Sequence, residues 1–283
     1  MNETMKSLQR SRIRRRRRYL LVTSILLVIT LALCSMMLML GNTIYPIKDV
    51  VSVLLGEQVK GASFAVGTIR LPRMIAGVFA GFAFGVGGYV FQTMLRNPLA
   101  NPNVIGITTG SSAAAVFCII VLQASNAMIS IASVAGGLIT ALVIYVLSRG
   151  VSFSIGRLIL IGIGIQAMLN AVINYLMLIG NTHDLPTAMR WLSGSLNGAK
   201  MDNLYPLVIT VCIVAPLIIF LGKRLEMLEL GEQAATSLGV DANKTRLLLL
   251  IGSVLIIALA TAATGPIAFV AFLSGPIAKR VVG

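Results

Sequence analysis

A chain of 283 residues that is 57% hydrophobic and 11% charged, with a mean hydropathy of +0.92, is far too apolar for a soluble domain. Its formal net charge of +14 would suit nucleic acid in a soluble protein. Here most of the basic residues flank apolar runs, which excludes nucleic acid and points to an anionic lipid surface, so the expected class is an all-α polytopic membrane protein.

Residues 1–18 form a basic tail closing on Arg14 to Arg18, directly before the first apolar run. A helix of roughly 20 apolar residues crosses a bilayer core of about 30 Å. About eight such spans are predicted, near Tyr19–Leu40, Arg73–Leu95, Val104–Gln123, Ala127–Leu147, Leu158–Ile179, Tyr205–Leu221, Leu247–Ala263 and, shorter, Ile267–Ala278. The first is too long for a plain signal peptide and has no small-residue cleavage site. With the N-terminus cytoplasmic, the basic tail, Arg96, Arg149, Arg157, Lys223, Arg224, Lys244, Arg246, Lys279 and Arg280 all fall inside. Only Lys48, Lys60, Arg70, Arg73, Arg190 and Lys200 fall outside, so the charge bias favours this topology.

No Asp, Glu, His, Lys or Arg lies within Met74–Leu95, Val104–Ser148, Leu158–Gly180, Tyr205–Gly222 or Leu247–Ala278. Ion-coupled carriers and intramembrane enzymes keep ionisable groups at depth, because those groups bind the coupling ion or do the chemistry. An energy source inside the membrane is therefore disfavoured. The single histidine, His183, is in an outer loop, and Cys34, Cys118 and Cys212 all lie in apolar runs, which argues for neither disulfides nor a metal site.

Three stretches stand out. In the second span, Gly77, Gly81 and Gly85 recur at four-residue spacing, a pattern that lets helix backbones approach closely. The exit from that span, Gln92 then Leu95-Arg96-Asn97-Pro98 through Pro102 and Gly106, breaks the helix twice, either as a simple turn or as backbone lining a wet cavity. The fifth span carries Gln166, Asn170 and Asn174 at i, i+4, i+8, a stripe of amides that either lines a path or bonds neighbouring helices, with Gly162 and Gly164 suggesting close packing beneath it. The third stretch, 223–246, is the long polar interval of the second half. Gly231 opens a short helix there, Glu232 suits its first turn, Ala234, Ala235 and Leu238 share a face, Gly239 stops it, and Asp241 caps a second short helix. It is either an ordinary solvated loop or a handle for a partner.

Arg70-Leu-Pro-Arg73, the glycine-rich span, Gln92, Arg96-Asn-Pro-Leu-Ala100 with Pro102 and Gly106, Trp191-Leu-Ser-Gly-Ser195, Leu230-Gly-Glu232 with Ser237-Leu-Gly-Val240, and Gly265-Pro-Ile-x-Phe269 together resemble the FecCD family. These are permeases of ATP-driven importers for iron–siderophore complexes, cobalamin and haem. The resemblance covers residues 19–283. It implies a ten-helix type II importer permease fold of which about eight helices are present, since relatives continue for two more spans. It also implies a second permease copy or paralogue, cytoplasmic ATPase subunits carrying ATP and magnesium, and an outer substrate-binding protein. This chain would bind no cofactor itself, in the bacterial cytoplasmic membrane. Gly231, Glu232, Ala235, Leu238 and Gly239 match the ATPase-coupling motif, Arg70 and Arg73 match arginines that dock the binding protein, and the span of Gln166, Asn170 and Asn174 lies beside the path. The alternative for Arg70 and Arg73 is headgroup anchoring of a helix end. The chain departs from the pattern at Ala271-Phe272 and Pro276-Ile277, where relatives carry Gly-Leu and Pro-His. An ion-coupled carrier or passive channel remains as a different class, and the ATPase-facing loop and uncharged spans disfavour both.

Overall fold

The computed structural model describes residues 2–98, 100, 106–148 and 155–282. Pro102 and Arg149 therefore lie outside the described residues. Every regular element described is helical: α1 Asn2–Met39, α2 Ile47–Leu54, a π-helical segment Ser63–Arg70 running into α3 Leu71–Met94, α4 Ile107–Ile120, α5 Asn126–Ser148 and α6 Ile155–Ile179. They are followed by α7 Leu185–Ser193, α8 Met201–Phe220, α9 Gly222–Glu229, α10 Glu232–Ser237, α11 Ala242–Thr264 and α12 Ala268–Val282.

Among the described residues, six helical runs are long and apolar enough to cross a bilayer: Ile13–Met39, Ser63–Met94, Asn126–Ser148, Gly156–Ile179, Met201–Phe220 and Ala242–Thr264. The expected third span is shorter than Val104–Gln123. It reduces to α4, whose 14 residues reach only about 21 Å at 1.5 Å per residue. Gly106, at φ +66°, starts it and Ile120 ends it. α12, with 15 residues, is likewise below full span length. The second span starts earlier than Arg73. Pro72 has no N–H for the Thr68 carbonyl, and the chain absorbs this by winding Ser63–Arg70 in the wider π register, with Leu71 N bonding Val66 O. Arg70 and Arg73 thus sit inside a continuous helix.

The chain divides into two compact units, Met1–Met74 with Pro276–Gly283, and Ile75–Gly275. In the first, Leu38, Val50 and Val66 form a small core with Tyr45, Val53, Leu71 and Met74 against it. The amphipathic α2, unread in the sequence, contributes Val50. Arg18 Nε donates to the Val281 carbonyl at 3.1 Å.

In the second unit α4 is wrapped on nearly all sides, with only Ala114 and Phe117 of its residues outside the buried set. It can be enclosed because glycines remove the side-chain layer between it and α5. A Cβ on Gly136 would lie 2.6 Å from both the Ala114 Cβ and the Gly110 oxygen. Three of the hydroxyls buried in the spans bond their own helices: Ser112 donates to Thr108 O at 2.8 Å, Thr261 to Ile257 O at 2.8 Å and Thr264 to Ala260 O at 2.9 Å. Outward faces carry Ile139, Leu142, Ile209, Ile213 and Leu217, a surface suited to acyl chains.

The close approaches fall elsewhere than expected. A Cβ added at Gly81 would have nothing within 4 Å, and one at Gly77 or Gly85 would make only ordinary contact with Leu196 or Ser274. It is Gly87 and Gly88 that touch: a Cβ on Gly87 would meet Ile257 Cδ1 at 2.6 Å, and one on Gly88 would overlap the Ala271 carbonyl. Gly164 is open on its Cβ side too, whereas Gly162 is buried, so of the two glycines expected to pack beneath the amide stripe only one is enclosed.

Candidate functional site

The polar interval folds as two short helices hung between two membrane helices. α9 buries Leu225 and Leu228 against the unit core, which fixes its inner face. The chain then turns at Gly231, whose φ of +125° only glycine adopts without strain, and α10 begins at Glu232. α10 ends in a Schellman motif centred on Gly239 at φ +80°: Val240 N donates to Ala235 O at 3.0 Å and Gly239 N to Thr236 O at 2.9 Å.

Asp241 caps a helix as expected, accepting from Lys244 N at 3.0 Å, but that helix is α11 itself, not a second short one. The Lys244 backbone N–H, and the Lys244 ammonium at 3.4 Å, hold this exposed carboxyl below its ordinary pKa. The second short helix of the element is instead α9, which precedes Gly231. The expected face splits: Ala235 is buried in the core and anchors α10, whereas Leu238 is 59% exposed and Leu230 is 70% exposed. Leu230 beside the Gly231 turn and Leu238 beside Gly239 are the two large apolar side chains that this element leaves bare.

Arg96 joins the end of α3 to this element. It occupies the left-handed position, φ +50°, of a second Schellman motif: Asn97 N donates to Gln92 O at 3.0 Å and Arg96 N to Thr93 O at 3.1 Å. Its Nη2 donates to Leu228 O at 3.1 Å, near the C-terminus of α9, where a cation complements the helix dipole. The Asn97-Pro98 break is thus a helix stop aimed at the two-helix element. Arg246, read only as one cytoplasmic charge among many, is 9% exposed in the first turns of α11.

Gln92 grips α12. Its Nε2 donates to Phe272 O at 2.9 Å and lies 3.5 Å from Ala271 O. Phe272 is four residues before Pro276, which has no N–H to return, so the amide side chain satisfies a carbonyl that the helix leaves open. Gly275 makes room beside it: a Cβ there would overlap Gln92 Oε1, and the amide would have to shift.

At the other end of α1, Arg70 closes that helix. Nη1 donates to Leu38 O at 2.9 Å and Met39 O at 2.8 Å, Nη2 to Thr43 O at 2.6 Å, and the guanidinium lies 5.1 Å from the Tyr45 ring centre. Arg70 and Arg73 both line a cavity of about 420 Å³ with Asn42 and Thr43. Arg70→Lys is expected to lower stability by about 1–3 kcal/mol, because a point charge cannot fork to these carbonyls; thermal unfolding in detergent measures it. On α6, Gln166 is half-buried while Asn170 and Asn174 are exposed, so the amide stripe faces away from the chain's own core.

Known proteins share this architecture. The chain is 34% identical over 270 residues to the ferric enterobactin transport system permease protein FepG of Escherichia coli (strain K12), covering 94% of this chain and 81% of that one. It is 30% identical to the cobalamin import system permease protein BtuC of Halobacterium salinarum, covering 78% of this chain and 60% of that protein. A solved metal-chelate type ABC transporter in an inward-facing conformation superposes with a TM-score of 0.76 at 27% identity, covering 91% of this chain and 78% of the other. The match to the FecCD transport family runs over residues 25–283, and this protein belongs to that family.

Proposed function

We propose that this chain is the permease subunit of a binding-protein-dependent ABC importer that carries an iron(III)–siderophore complex across the bacterial cytoplasmic membrane, with its N-terminus inside. The relative named for ferric enterobactin transport, at 34% identity, is the observation that favours this cargo. The relative named for cobalamin import supports cobalamin as the second reading. Two copies, or this chain and a paralogue, would enclose the path, and the exposed amides of Asn170 and Asn174 support that arrangement. Polar groups facing acyl chains would go unsatisfied, whereas against a second subunit or water they find partners.

The energy would come from ATP and magnesium on partner ATPase subunits. The two-helix element of α9 and α10, presenting Leu230 and Leu238, suits a groove on such a subunit. Movement there reaches α3 through Arg96 and α11 through the Asp241 cap, so a rigid-body shift of the element would tilt spans. Arg70 and Arg73, which line one cavity together, support a docking role toward carboxylates of the substrate-binding protein, with Arg70 also holding the end of α1.

Valine at Gly231 forces a β-branched residue to φ +125°, a local strain of about 1–3 kcal/mol concentrated at the turn. ATPase co-purification and proteoliposome uptake of ferric enterobactin are expected to fall at least tenfold, while Ile139→Val on the outward face of α5 leaves both within twofold. Wild-type uptake of cobalamin but not of the ferric chelate would replace the cargo assignment. Retained ATPase association in Gly231→Val would remove the coupling role.

A further inference from the structure

The unit Ile75–Gly275 holds a second cationic cavity, of about 270 Å³, that none of the expected roles uses. It forms where the end of α4, the start of α5, α7, the segment 195–200, the start of α8 and the end of α11 meet. α9 and α10 lie between the other ends of α8 and α11, so the cavity opens on the opposite side of the membrane from them. We propose that it is a carboxylate socket, filled by an acidic side chain of the docked substrate-binding protein; the occupant rests on the importer reading, the socket's chemistry does not.

Charge selects the ligand class. Arg190 and Lys200 line the cavity and, among the described residues, no Asp or Glu does. The neighbouring acids are otherwise placed: Asp184 accepts from Gln123 Nε2 at 3.3 Å, and Asp202 is exposed on α8. Asn126 and Asn203 add amide donors at the starts of α5 and α8, where the helix dipoles are positive. Size selects the occupant. Small-molecule sites run from about 300 Å³ upward, so this cavity is too small for a ferric chelate and ample for a single side chain.

The walls are fixed before anything binds. Ser195 N donates to Thr264 O at 2.7 Å, and the Gly194 and Gly265 backbones abut so closely that a Cβ on Gly265 would lie 2.8 Å from Gly194 Cα. A preformed cationic rim sets docking orientation and association rate at little ordering cost.

Trp191, the single tryptophan of the chain, lines the cavity and reports on it. The full chain in phosphatidylcholine nanodiscs is titrated with glutarate, and with neutral glutaramide as control. A saturable change in Trp191 emission is expected with glutarate alone, weakened at least tenfold in the double variant R190Q/K200Q, whose side chains are exposed. No saturable response, an equal response to glutaramide, or an unchanged response in the double variant overturns the socket. In the transporter assembled with its own ATPase and binding protein, R190Q/K200Q is expected to raise about tenfold the binding-protein concentration giving half-maximal ATP hydrolysis. An unchanged value overturns the occupant. Failure of the wild-type chain to assemble with any ATPase would instead overturn the importer reading, while the titration still decides the socket.

Discussion

Leucine at Gln92 is expected to destabilise the folded permease by about 2–3 kcal/mol, most of it recovered when Pro276 is replaced by alanine. The Phe272 carbonyl has no helical partner, because the residue four positions on is a proline, and Gln92 Nε2 at 2.9 Å is the donor it has. Leucine removes that donor while roughly keeping the volume, so the cost is that of a buried unsatisfied carbonyl. In soluble proteins this is about 1–3 kcal/mol, and it rises where no water can substitute. Pro276→Ala returns an N–H at the helical position. The double-mutant cycle between Gln92→Leu and Pro276→Ala should therefore show a coupling of about 1.5–2.5 kcal/mol, read from unfolding of the purified variants in matched mixed micelles. Strict additivity would mean that Gln92 stabilises α12 by packing alone.

Alanine at Gly88 should cost about 1–3 kcal/mol, whereas alanine at Gly81, on the same helix, should be neutral or slightly stabilising. At Gly88 the added carbon overlaps the carbonyl of Ala271, which is backbone and cannot rotate away, so α3 and α12 must separate and lose the contact that seats Gln92. At Gly81 nothing lies within 4 Å, and the change only replaces glycine by a better helix former. Parallel unfolding measurements on the two variants check the contrast. Equal losses would mean that glycine content of the helix, and not the α3–α12 seam, sets its stability.

The residues of α3 also show how far sequence reading reached. Four-residue spacing singled out Gly77, Gly81 and Gly85 because periodicity identifies a helix face, but it does not say which face meets another backbone. The contact lies at Gly87 and Gly88, off that ladder, and only the approach of Ile257 and Ala271 selects them. Arg70 was readable as a basic residue at a helix end, in need of a reason. Its reason, three carbonyls at the end of α1 and the start of the following loop, lies about thirty residues back along the chain. In the polar interval, Gly231, Gly239 and the Asp241 cap were legible, since turns and caps are local chemistry. The inward face of Ala235 and the outward face of Leu238 were not, because a helix of 6 residues is too short for its pattern to say which side is covered.

By itself the amino-acid sequence determined the solvent, the helical class, the position of the polar two-helix element and the family. Each of these follows from composition, from runs long enough to cross a bilayer, or from short motifs whose residues are neighbours in the chain. Tertiary structure alone decided that α4 is a short enclosed helix, that Gln92 completes the Phe272 carbonyl, that Arg96 meets α9, and that Arg190 and Lys200 share a cavity with Trp191. Those facts depend on which distant backbone or side chain arrives opposite a given residue. Inside a bilayer, where helices already match the acyl chains in polarity, such pairings are chosen by close packing and hydrogen bonding and leave little trace in hydropathy.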